Sequence, residues 1–164
     1  MASKFSLLIL VGIFIISPAV IAMGKNAVTS SAAPDFTLPN LKGENISLSN
    51  FLGKKVVLLV FGATRCRDCV KEVPELKELY GKFKNRDFIL LYIDIGESKK
   101  KVEAFVRENS IPYPVLLDEK SQAASAYKVY GIPTVFLIDR QGKVVFSGSA
   151  ARGFLVGKIE TLLK

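Results

Sequence analysis

The only two thiols of this 164-residue chain are Cys66 and Cys69, and just Arg67 and Asp68 separate them. Two cysteines at this spacing on a first helical turn can close a small disulfide and open it again, which is dithiol redox chemistry. The amides and dipole of the helix favour the thiolate of the first cysteine. The dipole supplies only about 0.3–1 kcal/mol, less than one pKa unit, so neighbouring charges matter. Arg65 and Arg67 favour the Cys66 thiolate and Asp68 opposes it, which makes Arg67 and Asp68 the residues that tune the pair, with a tilt toward a lowered Cys66 pKa. A disulfide kept for stability alone is the bland alternative. So short a loop restrains little of the unfolded chain, roughly 2 kcal/mol, which is poor use of the only cysteines.

Histidine is absent, which removes the usual general base and the usual metal ligand together. Chemistry must run through thiols, carboxylates, tyrosines or amines. Glu72 lies three residues after Cys69, near it on the same helical face, and is a candidate proton acceptor for the second thiol. Its alternative is a solvated helix glutamate. No cofactor and no metal site are expected; Cu(I) held between two thiolates is the one competing metal reading. Tyr92, Tyr127 and Tyr130 are expected in the core or at its rim rather than as catalysts.

Several elements must position the cysteines. Val56 to Phe61 (VVLLVF) is uniformly apolar and branched, as in a central strand buried on both faces. Gly62 to Arg65 turns into the cysteine helix, whose apolar positions Val73, Leu76, Leu79, Tyr80 and Phe83 recur every three or four residues. Phe88 to Ile95 is a second buried strand, and Ser98 can cap a helix with Val102, Phe105 and Val106. Such alternation favours a sheet with parallel strands and helices on both faces. Tyr113 to Leu117 reads as a short strand and Ala123 to Tyr130 as a helix. Val135 to Asp139 and Val144 to Ser147 flank the turn Arg140 to Lys143 as a hairpin. Leu155, Ile159, Leu162 and Leu163 mark a last helix. At the N-terminal side, Asp35 to Leu38 and Ile46 to Leu48 form a short hairpin.

With 49% apolar residues the chain can build one globular core. Residues 1–22, with Lys4 ahead of an apolar stretch and small residues before a cleavage point after Ala22, read as a secretory signal, an uncleaved membrane anchor being the competing reading. Residues 23–33 read as a linker and residues 34–164 as the domain, placed outside the cytoplasm. The net charge of +8 would favour nucleic acid in a cytosolic protein. On an exported chain Lys54-Lys55, the run from Lys82 to Arg86 and Lys99 to Lys101 are expected as solvated surface with no nucleic-acid partner. Attraction to an anionic membrane face is the remaining option.

A buried strand, Cys-x-x-Cys opening a helix, Pro74 inside that helix, and Gly131-Ile132-Pro133-Thr134 before an antiparallel hairpin together resemble the thioredoxin fold. That implies an α/β architecture with a central mixed sheet flanked by helices. The N-terminal hairpin, the opening Ala33 to Leu38 (APDFTL), the run Cys69 to Pro74 (CVKEVP) and the inserted strand-helix unit before residue 118 are similar to the TlpA/ResA group. Its members are exported or membrane-tethered thiol-disulfide oxidoreductases, several of which reduce apocytochrome c or partner proteins. The resemblance implies that Cys66 attacks a partner disulfide and Cys69 resolves the intermediate. It also supports Glu72 as replacement for the thioredoxin aspartate six residues before the first cysteine, where Val60 stands here. It further implies a cis Ile132-Pro133 bond that sets the backbone of Ile132 beside the cysteines to pair with an extended substrate.

The implied partners are a disulfide-containing protein substrate and a membrane thiol-disulfide electron carrier; a monomer is expected. Arg65 stands where most relatives carry tryptophan, and the chain has none. Arg65 thus alters the surface that meets a substrate and leaves the substrate class open. The unusual Arg67-Asp68 pair leaves the direction of electron flow open too. A peroxiredoxin shares the N-terminal hairpin, but its Pro-x-x-x-Thr-x-x-Cys arrangement is absent, with Leu59 and Ala63 at the corresponding positions. A thioredoxin-like binding module without redox turnover is the reading of last resort.

Overall fold

The computed structural model describes residues 31–149 and 152–164. The expected signal segment, and the linker as far as residue 30, lie outside the described residues. Its centre is β3 (Val56–Gly62), in which all seven residues are buried. β3 runs parallel to β4 (Phe88–Ile95) on one side and antiparallel to β6 (Thr134–Ile138) on the other. β5 (Val115–Asp118) and β7 (Val144–Gly148) complete a five-stranded sheet of order β5-β4-β3-β6-β7. β1 (Thr37–Pro39) and β2 (Asn45–Ser47) make a separate antiparallel pair. This is the thioredoxin-like α/β fold anticipated from the sequence.

The uniform hydrophobicity of β3 has a direct cause, because each face of the sheet meets its own apolar layer. On one face Val56, Leu58 and Val60 pack with Leu76, Leu79 and Phe83 of α1 (Arg67–Phe83), Val102 of α2 (Lys99–Glu108), and Leu155 and Ile159 of α4 (Arg152–Leu162). On the other face Val57, Leu59 and Phe61 pack with Phe36, Leu38, Leu48 and Tyr127. Pro74 lies within α1 on its exposed side, where its missing N–H leaves the Val70 carbonyl without its usual helical donor.

Several boundaries differ from expectation. The helix expected over Ala123 to Tyr130 is α3, Gln122–Ala126. It stops because Lys128 takes a left-handed φ of 53°, which a helix cannot continue through. The reversal turns the Tyr127 ring into the core, where its hydroxyl donates to the Pro34 carbonyl at 2.8 Å. The strand expected from Tyr113 begins at Val115, since Pro114 has no N–H for the ladder. Ser98 occupies the cap position of α2 without a side-chain capping bond. Ser31 and Ala33 hydrogen-bond the hairpin turn at Val144 and Gly142, so backbone pairing includes the first described residue. Tyr92 and Tyr127 are buried, whereas Tyr130 is 94% exposed. Among the described residues no helix is long and apolar enough to cross a membrane.

Candidate active site

β3 delivers the chain at Gly62 to a short turn, and Cys66 follows as the N-cap residue of α1, with φ −86° and ψ 108°. Its sulfur fills the acceptor position of a helix cap, taking the Cys69 N–H at 3.1 Å. That geometry places a backbone donor where a Cys66 thiolate would carry its charge. Cys66 and Cys69 are joined as a disulfide with Cα atoms 5.2 Å apart. The two sulfurs are unequal in access: Cys66 is half-buried and Cys69 is 2% exposed.

The Ile132-Pro133 bond is cis, as the resemblance implied. It brings the Ile132 carbonyl to 3.8 Å from the Cys66 sulfur. A disulfide sulfur has no hydrogen to donate, so this is a close approach rather than a bond. Both Ile132 and Pro133 are half-buried. Tyr130, two residues upstream, stands out into solvent.

The flanking charges divide into separate groups. Asp68 is exposed and accepts from the Lys71 ammonium at 2.8 Å, and that hydrogen bond and charge hold its carboxyl below the usual range. The pair is neutral as a unit, which blunts the opposition of Asp68 to a Cys66 thiolate and leaves the exposed Arg67 as the uncompensated charge between the cysteines. Glu72 is half-buried one turn below Cys69. Burial, then the charges of Glu75 and Asp68, raise its carboxyl above the ordinary value. A carboxylate poised upward in this way is a better proton acceptor than a solvated one.

Arg65 is not a free surface cation. Its guanidinium donates to the Ile95 carbonyl at 3.1 Å and lies 3.4 Å from Glu97, while the side chain remains 54% exposed. Glu97 has no counterpart among the residues singled out from the sequence. It accepts from the Thr64 amide, from the Thr64 hydroxyl at 3.0 Å and from Lys101. Only a Gly-Glu-Ser stretch before a helix marks it locally, which reads as a loop and cap. Asp94, buried beside it, looks in sequence like one polar position in an apolar strand. Among the described residues Cys66 and Cys69 are the only soft donors, and no group of three or more His, Cys, Asp or Glu there could hold a metal ion.

Residues 29–147 match the AhpC/TSA family. The chain is 36% identical over 141 residues to the thiol-disulfide oxidoreductase ResA of Geobacillus kaustophilus, covering 84% of this chain and 80% of that protein. With ResA of Bacillus subtilis it shares 39% identity over 123 residues, 74% of this chain and 68% of the relative. Among solved structures it is similar to a thiol-disulfide oxidoreductase from Bacteroides fragilis, with TM-score 0.74, 29% identity, and 81% and 100% of the two chains covered. A thiol:disulfide interchange protein from Bacteroides sp. has TM-score 0.73 and 28% identity, with 82% and 90% covered. Identity at this level, on a fold that carries its dithiol at the head of α1, makes this chain a member of the AhpC/TSA family and, within it, a ResA-like thiol-disulfide oxidoreductase.

Proposed function

We propose that the protein reduces disulfides of other proteins outside the cytoplasm, with Cys66 as the attacking thiol and Cys69 as the resolving one. The observation that carries this reading is the asymmetry of the pair, an accessible capping sulfur at Cys66 and an almost fully buried one at Cys69. In the reduced protein the Cys66 thiolate attacks one sulfur of the substrate disulfide. A mixed disulfide forms, and the other substrate sulfur leaves as a thiolate that takes a proton. Cys69 then gives its proton to Glu72 and attacks the Cys66 sulfur, releasing the second substrate thiolate. Two electrons have passed to the substrate, and the protein is left as the Cys66–Cys69 disulfide.

A membrane thiol-disulfide carrier would return the two electrons. Residues 1–22 would direct export, as a cleaved signal or as a tether. Apocytochrome c, with its paired cysteines, falls in the substrate class. The backbone of Ile132 beside Cys66 suits pairing with an extended segment, with Arg65 next to Cys66 in sequence and the exposed Tyr130 two residues ahead of Ile132 as further substrate contacts.

The direct test is trapping. Cys69→Ser should accumulate a mixed disulfide with a protein substrate, and Cys66→Ser should accumulate none; the reverse pattern would overturn the assignment. The direction of flow is tested by equilibration against glutathione and dithiothreitol buffers. A potential near or below about −250 mV, close to thioredoxin, fits a reductase, and one near about −120 mV, as for DsbA, would make the protein an oxidant.

A further inference from the structure

The carboxyl end of β4 lies behind the turn that delivers Cys66, and it carries two acidic side chains that the chemistry above does not use. Asp94 is 1% exposed and Glu97 6%. Glu97 is amply partnered. One carboxylate oxygen accepts from the Thr64 amide, and the other accepts from the Thr64 hydroxyl and from Lys101, with the Arg65 guanidinium 3.4 Å away. These contacts clamp the loop between β4 and α2 onto residues 64 and 65, immediately before Cys66. The situation of Asp94 is the opposite. Neither of its carboxyl oxygens makes a well-formed hydrogen bond among the described residues; the polar groups nearest it are the Glu97 carboxyl and the Thr64 amide.

The position of Asp94 follows from strand register. Asp94 stands opposite Gly62, the last residue of β3 and two residues ahead of Thr64. By strand alternation it shares the face of Tyr92, which packs in the layer under α1. A buried carboxylate this poorly supplied with donors is unfavourable, and such a group keeps its proton instead.

We propose that Asp94 is a positioning residue of the redox site that carries an exchangeable proton. Neutral, it sits beside the Glu97 clamp; ionised, it adds a buried negative charge behind Cys66 and disfavours the thiolate. The proposal rests on the reading of Cys66 as the attacking thiol.

The charges around the pair agree on which carboxyl holds the proton. Burial first, then the charge of Glu97 and its carboxylate as acceptor for the Asp94 proton, push Asp94 up to about 7, against the pull of Arg65 and of the Thr64 amide. Burial also works against the charge of Glu97, yet Lys101 and Thr64 hold it below the ordinary value. The groups facing this corner are Glu97 from the β4–α2 loop, Lys101 from α2, Thr64 and Arg65 from the turn after β3, and Tyr92 on β4 itself. β5 presents Leu117 opposite Asp94. Glu72 of α1 bears on the Tyr92 hydroxyl, as do Asp94, Tyr113 and Glu97. Reduction creates negative charge at Cys66, which strengthens the hold of Asp94 on its proton. By linkage, ionising Asp94 weakens the reduced state by the same factor.

The test compares the full chain with Asp94→Asn, a neutral side chain of similar size, by the equilibrium constant for reduction against glutathione between pH 5.5 and 8. The two proteins should agree within twofold at pH 5.5. At pH 8 the constant for reduction of the wild type should be about three- to tenfold below that of Asp94→Asn. A ratio that stays flat across the range would overturn the proposal and leave Asp94 a packing residue. Glu97→Gln is the second variant. It removes the charge that raises Asp94, so the neutral-range inflection of the wild type should move to lower pH; an inflection that stays in place overturns the proposal, even if Asp94→Asn does not fold. A disulfide that glutathione and dithiothreitol do not open in any of the three proteins would instead sink the redox reading itself.

Discussion

Gly62 and Tyr92 offer the most direct check of the packing behind the dithiol. A Cβ added at Gly62 would lie 2.1 Å from the Tyr92 hydroxyl oxygen, 2.7 Å from Cζ and 3.3 Å from Cε2. Ordinary contact begins near 3.4 Å, so the tyrosine must retreat by about 1.3 Å. It has no room to do so, being 2% exposed with the Tyr113 ring 6.2 Å away. Two effects oppose each other in Gly62→Ala. Replacing a strand glycine gains about 0.5–1 kcal/mol of backbone entropy, while overpacking a filled core costs about 1–3 kcal/mol, occasionally more. The clash is at the severe end, about 3 kcal/mol, so the net loss should be about 2–2.5 kcal/mol. For a domain of this size that lowers Tm by roughly 4–10 °C. Tyr92→Phe alone should be neutral or slightly stabilising, since it removes a buried hydroxyl that has no partner among the described residues. In the double variant the worst clash disappears but Cζ stays too near, so Tyr92→Phe should recover about 1 kcal/mol beyond additivity. Denaturant and thermal unfolding of the four proteins measure this directly. A Gly62→Ala protein as stable as the wild type, or strictly additive effects, would refute the steric argument.

Asp118, 1% exposed, accepts the amides of Gln122 at 2.7 Å and Ala124 at 2.9 Å. Asp118→Ala strands both donors at the start of α3 and should cost about 2–3 kcal/mol in urea unfolding; a loss under about 1 kcal/mol would show that these amides find other partners. Glu72→Gln should slow resolution of the mixed disulfide about tenfold or more, within the usual range of general-base effects. In the wild type, resolution should weaken as pH falls through the raised Glu72 pKa, because the protonated carboxyl cannot accept; the glutamine variant should lack that limb in stopped-flow traces. Tyr130 is 94% exposed, so Tyr130→Ala should leave stability within about 0.5 kcal/mol. Its KM for a protein disulfide should rise roughly tenfold while the reduction potential stays unchanged, as expected if this exposed aromatic packs against the bound substrate.

Much of this protein is written in short-range sequence. The unbroken apolar runs of β3 and β4 can satisfy only strands covered on both faces, and they appear as such. The three- and four-residue spacing of Val73, Leu76, Leu79 and Phe83 dictates which side of α1 is buried. It also puts Cys66 at the cap and Cys69 one turn inside, because both depend on neighbours within four residues. Arg65 was legible as a cation beside the dithiol. That it is anchored rather than free was not, since its partners lie 30 and 32 residues away in sequence.

Tertiary structure decided the remainder. The clamp of Glu97 on Thr64 spans 33 residues, and the approach of Ile132 to Cys66 spans 66. Both follow from which strands pair and in what register, which no local pattern specifies. The pairing of Gly62 with Asp94 turns an ordinary polar strand position into a buried carboxyl without a well-formed hydrogen bond among the described residues. The early end of α3 at Ala126 belongs here too, where burying the Tyr127 ring and binding the Pro34 carbonyl prevail over helical continuation. Sequence by itself determined the dithiol, its helix and the strands that carry it, because those rest on periodicity and neighbours. Only the folded sheet could decide what stands behind the dithiol, because burial and missing hydrogen-bond partners are properties of register rather than of composition.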